Sequence, residues 1–555
     1  MQNWRINFIF IVIVVVALTI ISRLFYLQVL NHKFYLAQAL GQQAILSDTE
    51  GARGEVFFLD NSKSFAINND KWSLYAVPNE IEDKEGVSNK LSEIIGDTSE
   101  LILSKMVDGD AYVLIKNKLN QEQAGQISGT KGLKLERLAG RYYPQSKIAS
   151  HVIGFMNNDG LGQYGLEGYY DAILKGERNF KEQPLSLTFF NPDSLEIKSL
   201  NGSDLHLTLD YSIQFQAESI LKEAKESYDI DSGQVIVMEP ETGRIIAMAN
   251  YPNFDPNQYS KEPGLDIFQN SSIQKVYELG SIVKPITVAI GINEGKITPE
   301  SSYTDNGCVV VQKKTICNYG DEKYGVQTMT QVLEKSLNTG AVYISQLISH
   351  DVYLKYFDKF GFSERTEVDL QGEISSQNDN LKKGGDISFA TASYGQGISL
   401  TPLQFLRGIS AIANKGKIVK PYIVDAIENS LGDSLKTEPK TVRQVITEST
   451  ARAVTNMMVS AVDNGFANKA KVEGYYIAGK TGTAQVAYID KAGYYPDKTI
   501  HSFVGFAPAL NPRFIAIIKL DNPKGNKSSS STAAPLFAKL AKYILDYWQI
   551  KPDYL

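Results

Sequence analysis

The sequence predicts an α+β fold behind an apolar N-terminal segment, and three observations carry that prediction. Apolar strand pairs occur at both ends of the C-terminal half, helical periodicity fills the space between them, and the chain opens on a long uncharged stretch. In order, Asp204-Leu-His-Leu-Thr-Leu-Asp210 alternates as a strand does, and Ser212 to Tyr228 has helical spacing. Gly233–Met238 and Arg244–Met248, split by the turn Pro240-Glu-Thr-Gly243, form a hairpin. Pro285–Gly295 and Thr328–Ile348 read as helices. Thr499–Phe506 and Phe514–Leu520 form a late strand pair, and Ala533–Tyr547 a closing helix.

From Ile6 to Ser22 no residue is charged. About 20 apolar residues span a bilayer, so a transmembrane anchor over 6–30 is expected, behind a short cytoplasmic tail, 1–5. No small-x-small cleavage site follows Ile21, which favours an uncleaved anchor over a signal peptide. The bulk of the chain is then expected outside the cytoplasm. The 555 residues, 43% hydrophobic and 21% charged, suit two to four globular domains. A net charge of −6 without a basic run excludes a nucleic-acid surface. Cys308 and Cys317, the only cysteines, either close one small loop or stay as two thiols, and lack companion histidines for zinc. No glycine-rich phosphate loop or metal motif is present, so neither cofactor nor metal is expected.

Three short motifs carry chemistry: Ser281-Ile-Val-Lys284, Ser336-Leu-Asn338 and Lys480-Thr481-Gly482-Thr483. Each alone is weak, since Ser-x-x-Lys arises by chance roughly twice in a chain this long, and Ser272-Ile-Gln-Lys275 lies just upstream. Their order makes the set strong. Ser281 precedes an apolar helical run, where free N–H groups and the positive helix end face its hydroxyl. Lys284 lies one turn on, on the same face. A serine needs a base to take its proton, and a desolvated lysine can serve. Ser336 offers a relay hydroxyl and Asn338 an amide. Lys480 and the threonines attract a carboxylate, and Gly482 lets another backbone come close. The bland alternatives are an N-cap serine with a solvated lysine, a polar turn and an exposed edge strand. A His-based triad is disfavoured; only His501 lies near Lys480 in sequence.

In this order the motifs resemble those of penicillin-binding proteins and serine β-lactamases. The flanking strings resemble the class B monofunctional transpeptidases: Tyr277-Glu-Leu-Gly-Ser281, Leu333–Gly340, Tyr394-Gly-Gln-Gly397, Ala413-Asn-Lys-Gly416, Ala478–Gln485 and His501–Pro508. Arg53-Gly54, Arg141–Pro144, His151–Phe155 and Gly165–Glu167 resemble pedestal landmarks. Leu279 stands where a proline is usual, and Ile282 where threonine is common. Tyr277-Glu278 and Thr330–Ser336 look more like the cell-division branch than the elongation branch.

The resemblance implies a pedestal or dimerisation domain over 31–205 and a β-lactamase-like transpeptidase domain over 206–548. It implies that Ser281 attacks a D-Ala-D-Ala carbonyl of a peptidoglycan stem peptide, with Lys284 as base and Ser336 and Lys480 returning a proton. Ser281 and Thr483 N–H groups would form the oxyanion hole, Thr481 and Thr483 would hold the carboxylate, and Asn338 the peptide backbone. β-Lactams would acylate the same serine. The implied partners are a multispanning glycosyltransferase of the SEDS family and other divisome membrane proteins. Rival readings are an elongation-branch transpeptidase, a carboxypeptidase or β-lactamase, and a non-catalytic scaffold or sensor.

Overall fold

The computed structural model describes residues 3–26, 51–60, 63–107, 112–138, 140–178, 199–376, 378–488, 493–525 and 528–554. The chain divides into two compact units: residues 1–54, 67–142 and 175–203, and residues 55–66, 143–174 and 204–555.

In the first unit, helix α1 spans Asn3–Phe25. Among the described residues no helix is long and apolar enough to cross a membrane. The end of the expected anchor, 27–30, and the start of the expected pedestal, 31–50, lie outside the described residues. Strand β1 (Lys71–Ala76) is followed by α2 (Lys84–Ile95), α3 (Ser99–Lys105), β2 (Val113–Leu119), α4 (Gln121–Ile127) and β3 (Leu133–Leu138). The strands pair antiparallel in the order β2-β1-β3. Local signals set the helix ends. Asp83 caps α2 and left-handed Gly96 stops it, while Asn120 and Gln123 form a capping box on α4. Leu74, Leu91, Ile95, Ile102, Ile115 and Ile127 make its core.

The second unit is built on a five-stranded antiparallel sheet. Its parts are α5 (Tyr211–Tyr228), β4 (Ser232–Met238), β5 (Ile245–Tyr251), α6 (Lys284–Asn293), β6 (Ser302–Asp305), β7 (Cys308–Val311), β8 (Lys314–Cys317), β9 (Gly325–Thr328), α7 (Met329–Glu334), α8 (Asn338–Gln346), α9 (Pro402–Ala413), α10 (Glu448–Asp463), β10 (Ala478–Ala487), β11 (Tyr494–Ala507), β12 (Phe514–Asp521) and α11 (Ala533–Tyr547). The strand order is β5-β4-β12-β11-β10, so β10 is an edge. Side chains alternate between two cores, as the strand period of two requires. Val235, Val237, Ala516 and Ile518 face α5 and α11, whereas Ile236, Met238, Ile515 and Ile517 face the helical layer containing α9 and α10. A sheet buried on both faces reads as continuous apolar runs, as β12 does.

Two segments N-terminal to the expected 205/206 boundary fold with this unit. Val56, Phe58, Phe65, Val152, Phe155 and Leu166 share its larger core, and Val56–Phe57 pairs in parallel with Leu205–His206. The expected helix over 328–348 is two helices, α7 and α8, broken at Lys335–Leu337 because Ser336 has φ 55°.

Candidate active site

The site lies where α6, the α7–α8 break and edge strand β10 meet. Gly280–Val283 is a 3-10 turn leading into α6, with Pro285 in the first helical turn, where its missing N–H costs nothing. Ser281 is half-buried in that turn, and Lys284 is wholly buried at the start of α6. The turn sits hard against β10. A Cβ at Gly482 would come within 2.8 Å of Ile282 Cγ2 and 3.1 Å of Leu279 O, so only glycine lets the strand approach this closely. A Cβ at Gly280, where φ is +60°, would stand 3.1 Å from Ala484 Cβ and 3.2 Å from Thr483 O.

Lys284 Nζ donates to Ser336 O at 2.5 Å, Asn338 Oδ1 at 2.9 Å and Ser336 Oγ at 3.3 Å. Lys480 Nζ donates to Ser336 Oγ at 2.9 Å and to Thr481 O at 3.1 Å, with Thr481 Oγ1 at 3.4 Å. Ser336 Oγ thus stands between two buried amines. Its left-handed backbone is a strained state for a serine and aims the hydroxyl at both. Burial, and then the charge of Lys480, push Lys284 well below the usual lysine range. Burial alone lowers Lys480 to about 7. Two ammonium groups sharing a dry pocket cannot both stay charged cheaply, so at least one amine is available as a base near neutral pH.

The expected site residues are brought together. Ser281 and Lys284 share one turn, Ser336 and Asn338 meet Lys284, and Lys480 meets Ser336. Among the described residues, Lys284 Nζ makes no hydrogen bond to Ser281 Oγ; the amine leans instead toward Ser336 and Asn338. Thr481 is buried beside Lys480. Thr483 Oγ1 lies 3.1 Å from Ser529 Oγ and accepts Ser529 N–H at 3.2 Å. His501 is wholly buried, bonded to Thr499 and Thr532, and burial lowers it to about 4.

Sequence reasoning missed the support of Asn338. Cys308 and Cys317 form a disulfide across the β7–β8 hairpin. Cys317 O accepts Asn338 Nδ2–H at 2.9 Å, and Asn318 Oδ1 accepts the backbone N–H of Asn338 at 2.9 Å. Buried Asp305 in turn accepts from Asn318 Nδ2 and Thr339 Oγ1. The cysteine pair was the one flag on this segment; nothing in sequence tied it to Asn338, because the contact crosses a helix break invisible to periodicity.

Comparison with known proteins places the whole chain. Residues 233–542 match the penicillin binding protein transpeptidase domain, and residues 48–207 the penicillin-binding protein dimerisation domain. The stage V sporulation protein D of Bacillus subtilis is 30% identical, covering 99% of this chain and 86% of that protein. Peptidoglycan D,D-transpeptidase FtsI of Escherichia coli is 27% identical, covering 100% and 93%. The crystal structure of penicillin-binding protein 3 from Mycobacterium tuberculosis, complexed with aztreonam, superposes with a TM-score of 0.71 at 27% identity, covering 91% of this chain and 97% of that one. With more than half its length inside the transpeptidase model and a relative alike almost end to end, the chain belongs to the class B penicillin-binding proteins.

Proposed function

We propose that this protein is a peptidoglycan D,D-transpeptidase in which Ser281 is the nucleophile. The observation that carries the reading is the run Lys284–Ser336–Lys480, in which two buried amines flank the Ser336 hydroxyl one turn from a half-exposed serine. Lys284 takes the Ser281 proton as the Oγ–C bond forms at the penultimate D-alanine carbonyl of a stem peptide. The amide C–N bond then breaks. Lys480, through Ser336 Oγ, supplies the proton with which D-alanine leaves, and the acyl group stays on Ser281. N–H groups of Ser281 and Thr483 stabilise the oxyanion. Asn338 holds the peptide backbone, Thr481 and Thr483 hold the terminal carboxylate, and Gly482 lets the strand approach. An amine of a second stem attacks the ester, forming the cross-link and freeing Ser281. β-Lactams acylate Ser281 by the same first half.

The domain reading that goes with this is an anchor over 6–30, a pedestal over 31–205 and a transpeptidase domain over 206–548. The uncharged run Ile6–Ser22 supports the anchor, with the catalytic unit outside the cytoplasm. A division role is supported by the likeness to FtsI, and implies a multispanning SEDS glycosyltransferase and other divisome membrane proteins as partners.

The test is labelling of the full chain with a fluorescent penicillin. Wild type is expected to be labelled covalently and Ser281→Ala not; equal label on both overturns the assignment. Adding a D-Ala-D-Ala stem peptide with an acceptor amine should give cross-linked product; hydrolysed product alone favours a carboxypeptidase or β-lactamase, and neither product favours a sensor.

A further inference from the structure

Transfer needs an amine beside the acylated serine, yet a primary amine reaches the site as an ammonium, and two lysines already line the cleft. Glu278 answers this difficulty. It lies three residues before Ser281, in a short strand, Tyr277–Glu278, paired with Ser399–Leu400. Three residues of chain reach at most about 11 Å, so its carboxylate belongs to the neighbourhood of the nucleophile.

The carboxylate is fixed in place. Its Oε1 accepts Gly397 N–H at 3.2 Å, and Tyr494 OH donates to Oε2 at 3.1 Å and Oε1 at 3.4 Å. The loop carrying Gly397 is pinned to the nucleophile's own turn: Gly280 N–H donates to Gly395 O at 3.0 Å, and a Cβ at Gly395 would stand 2.1 Å from Gly280 O. Among the described residues, no lysine, arginine or histidine is paired with Glu278. Burial raises its pKa, against the two hydrogen bonds. A half-buried carboxylate with no cation beside it among the described residues is costly to hold, and with room for about four hydrogen bonds it keeps capacity on Oε2. Tyr394 and Tyr494 stand near enough to feel its charge; burial first, and then Glu278, raise Tyr394 to about 12.

We propose that Glu278 is the recognition group for the acceptor, holding the primary ammonium of the incoming stem peptide beside Tyr394 and Tyr494 before transfer. This rests on the transpeptidase reading above. The ammonium gives one proton to the Glu278 carboxylate, and the free amine attacks the ester carbonyl on Ser281. The C–N bond forms and the C–O bond breaks. The second amine proton passes through Lys284 to the departing Ser281 oxygen, and Glu278 returns its proton to solvent.

The test uses the full chain and Glu278→Gln, which keeps the acceptor geometry for Gly397 and removes the charge. Acyl-enzyme made from a stem-peptide thioester is partitioned between an ammonium acceptor and methanol. The ratio of amine product to methanol product should fall about fivefold or more, the equivalent of about 1 kcal/mol for a partly exposed ion pair. An unchanged ratio, or a fall that follows a cationic side chain on the donor rather than on the acceptor, overturns the proposal. Wild type gives a second readout should the variant fold poorly. Its KM for the ammonium acceptor should rise with salt, while its KM for a neutral hydrazide acceptor should not; equal responses overturn the proposal. Penicillin labelling of Ser281 separates the two claims, because its loss in wild type sinks the transpeptidase reading, whereas intact labelling with a failed acceptor test sinks only the role of Glu278.

Discussion

Two Ser-x-x-Lys tetrads stand close together in this chain, and the fold treats them in opposite ways. Ser272 is wholly buried in the four-residue helix Ser271–Gln274; its Oγ donates to Asn250 Oδ1 at 2.9 Å and its N–H to Asn270 Oδ1 at 3.1 Å, while Lys275 is exposed. At the second tetrad Ser281 is half-open and Lys284 is the buried member. By spacing alone both tetrads would put a serine and a lysine on one helical face, although Lys275 falls just past the end of its helix in extended backbone. Chemistry requires the further inversion of burial: a hydroxyl that substrate can reach and an amine that water cannot, since desolvation is what makes an amine basic at neutral pH. A motif match therefore reports geometry, and burial reports reactivity.

The largest way to sharpen this contrast is at the lysines. Lys284→Ala should slow penicillin acylation by about 10²- to 10⁴-fold, the usual worth of a positioned base, and Lys275→Ala should leave it at the wild-type rate; stopped-flow labelling reads both. A smaller effect concerns what burial costs. Lys480 is held at about 7 in the folded protein, below its unfolded value of about 10.4. Between those values the unfolded chain binds more protons, so wild-type stability rises with pH across that window, and the cost is fully present below about 7. Chemical denaturation of wild type and Lys480→Met from pH 7 to 10 should show wild type gaining on the variant by up to about 1.4 kcal/mol per pH unit; parallel curves would mean that the amine is not desolvated. The smallest effect falls on Ser272. Ser272→Ala leaves Asn250 without its donor and should lower stability by about 1–3 kcal/mol with penicillin labelling retained.

The sheet and its flanking helices were legible because β4, β5 and β12 carry nearly unbroken apolar runs with turn residues between them, and β11 ends on the apolar stretch Phe503–Ala507. The α7–α8 break was not, because Val332–Leu333 and Leu337 keep helical spacing across Ser336, and the left-handed residue that separates the helices is a serine rather than a glycine. The interleaving of 55–66 and 143–174 with the second unit was also hidden, since it depends on pairing at a sequence distance that local patterns do not encode. At the site, residue types and order were readable. The burial that separates Lys284 from Lys275, and the hairpin under Asn338, belong to tertiary packing.

The left-handed backbone of Ser336 also sets two selections against one another. Glycine adopts that conformation freely, and replacing the serine would relieve about 1 kcal/mol or more of strain. A library ranked on melting temperature would therefore reward Ser336→Gly, while one ranked on turnover would discard it, since the hydroxyl between the two amines disappears. Stabilised variants of this protein are for that reason best chosen with position 336 held constant.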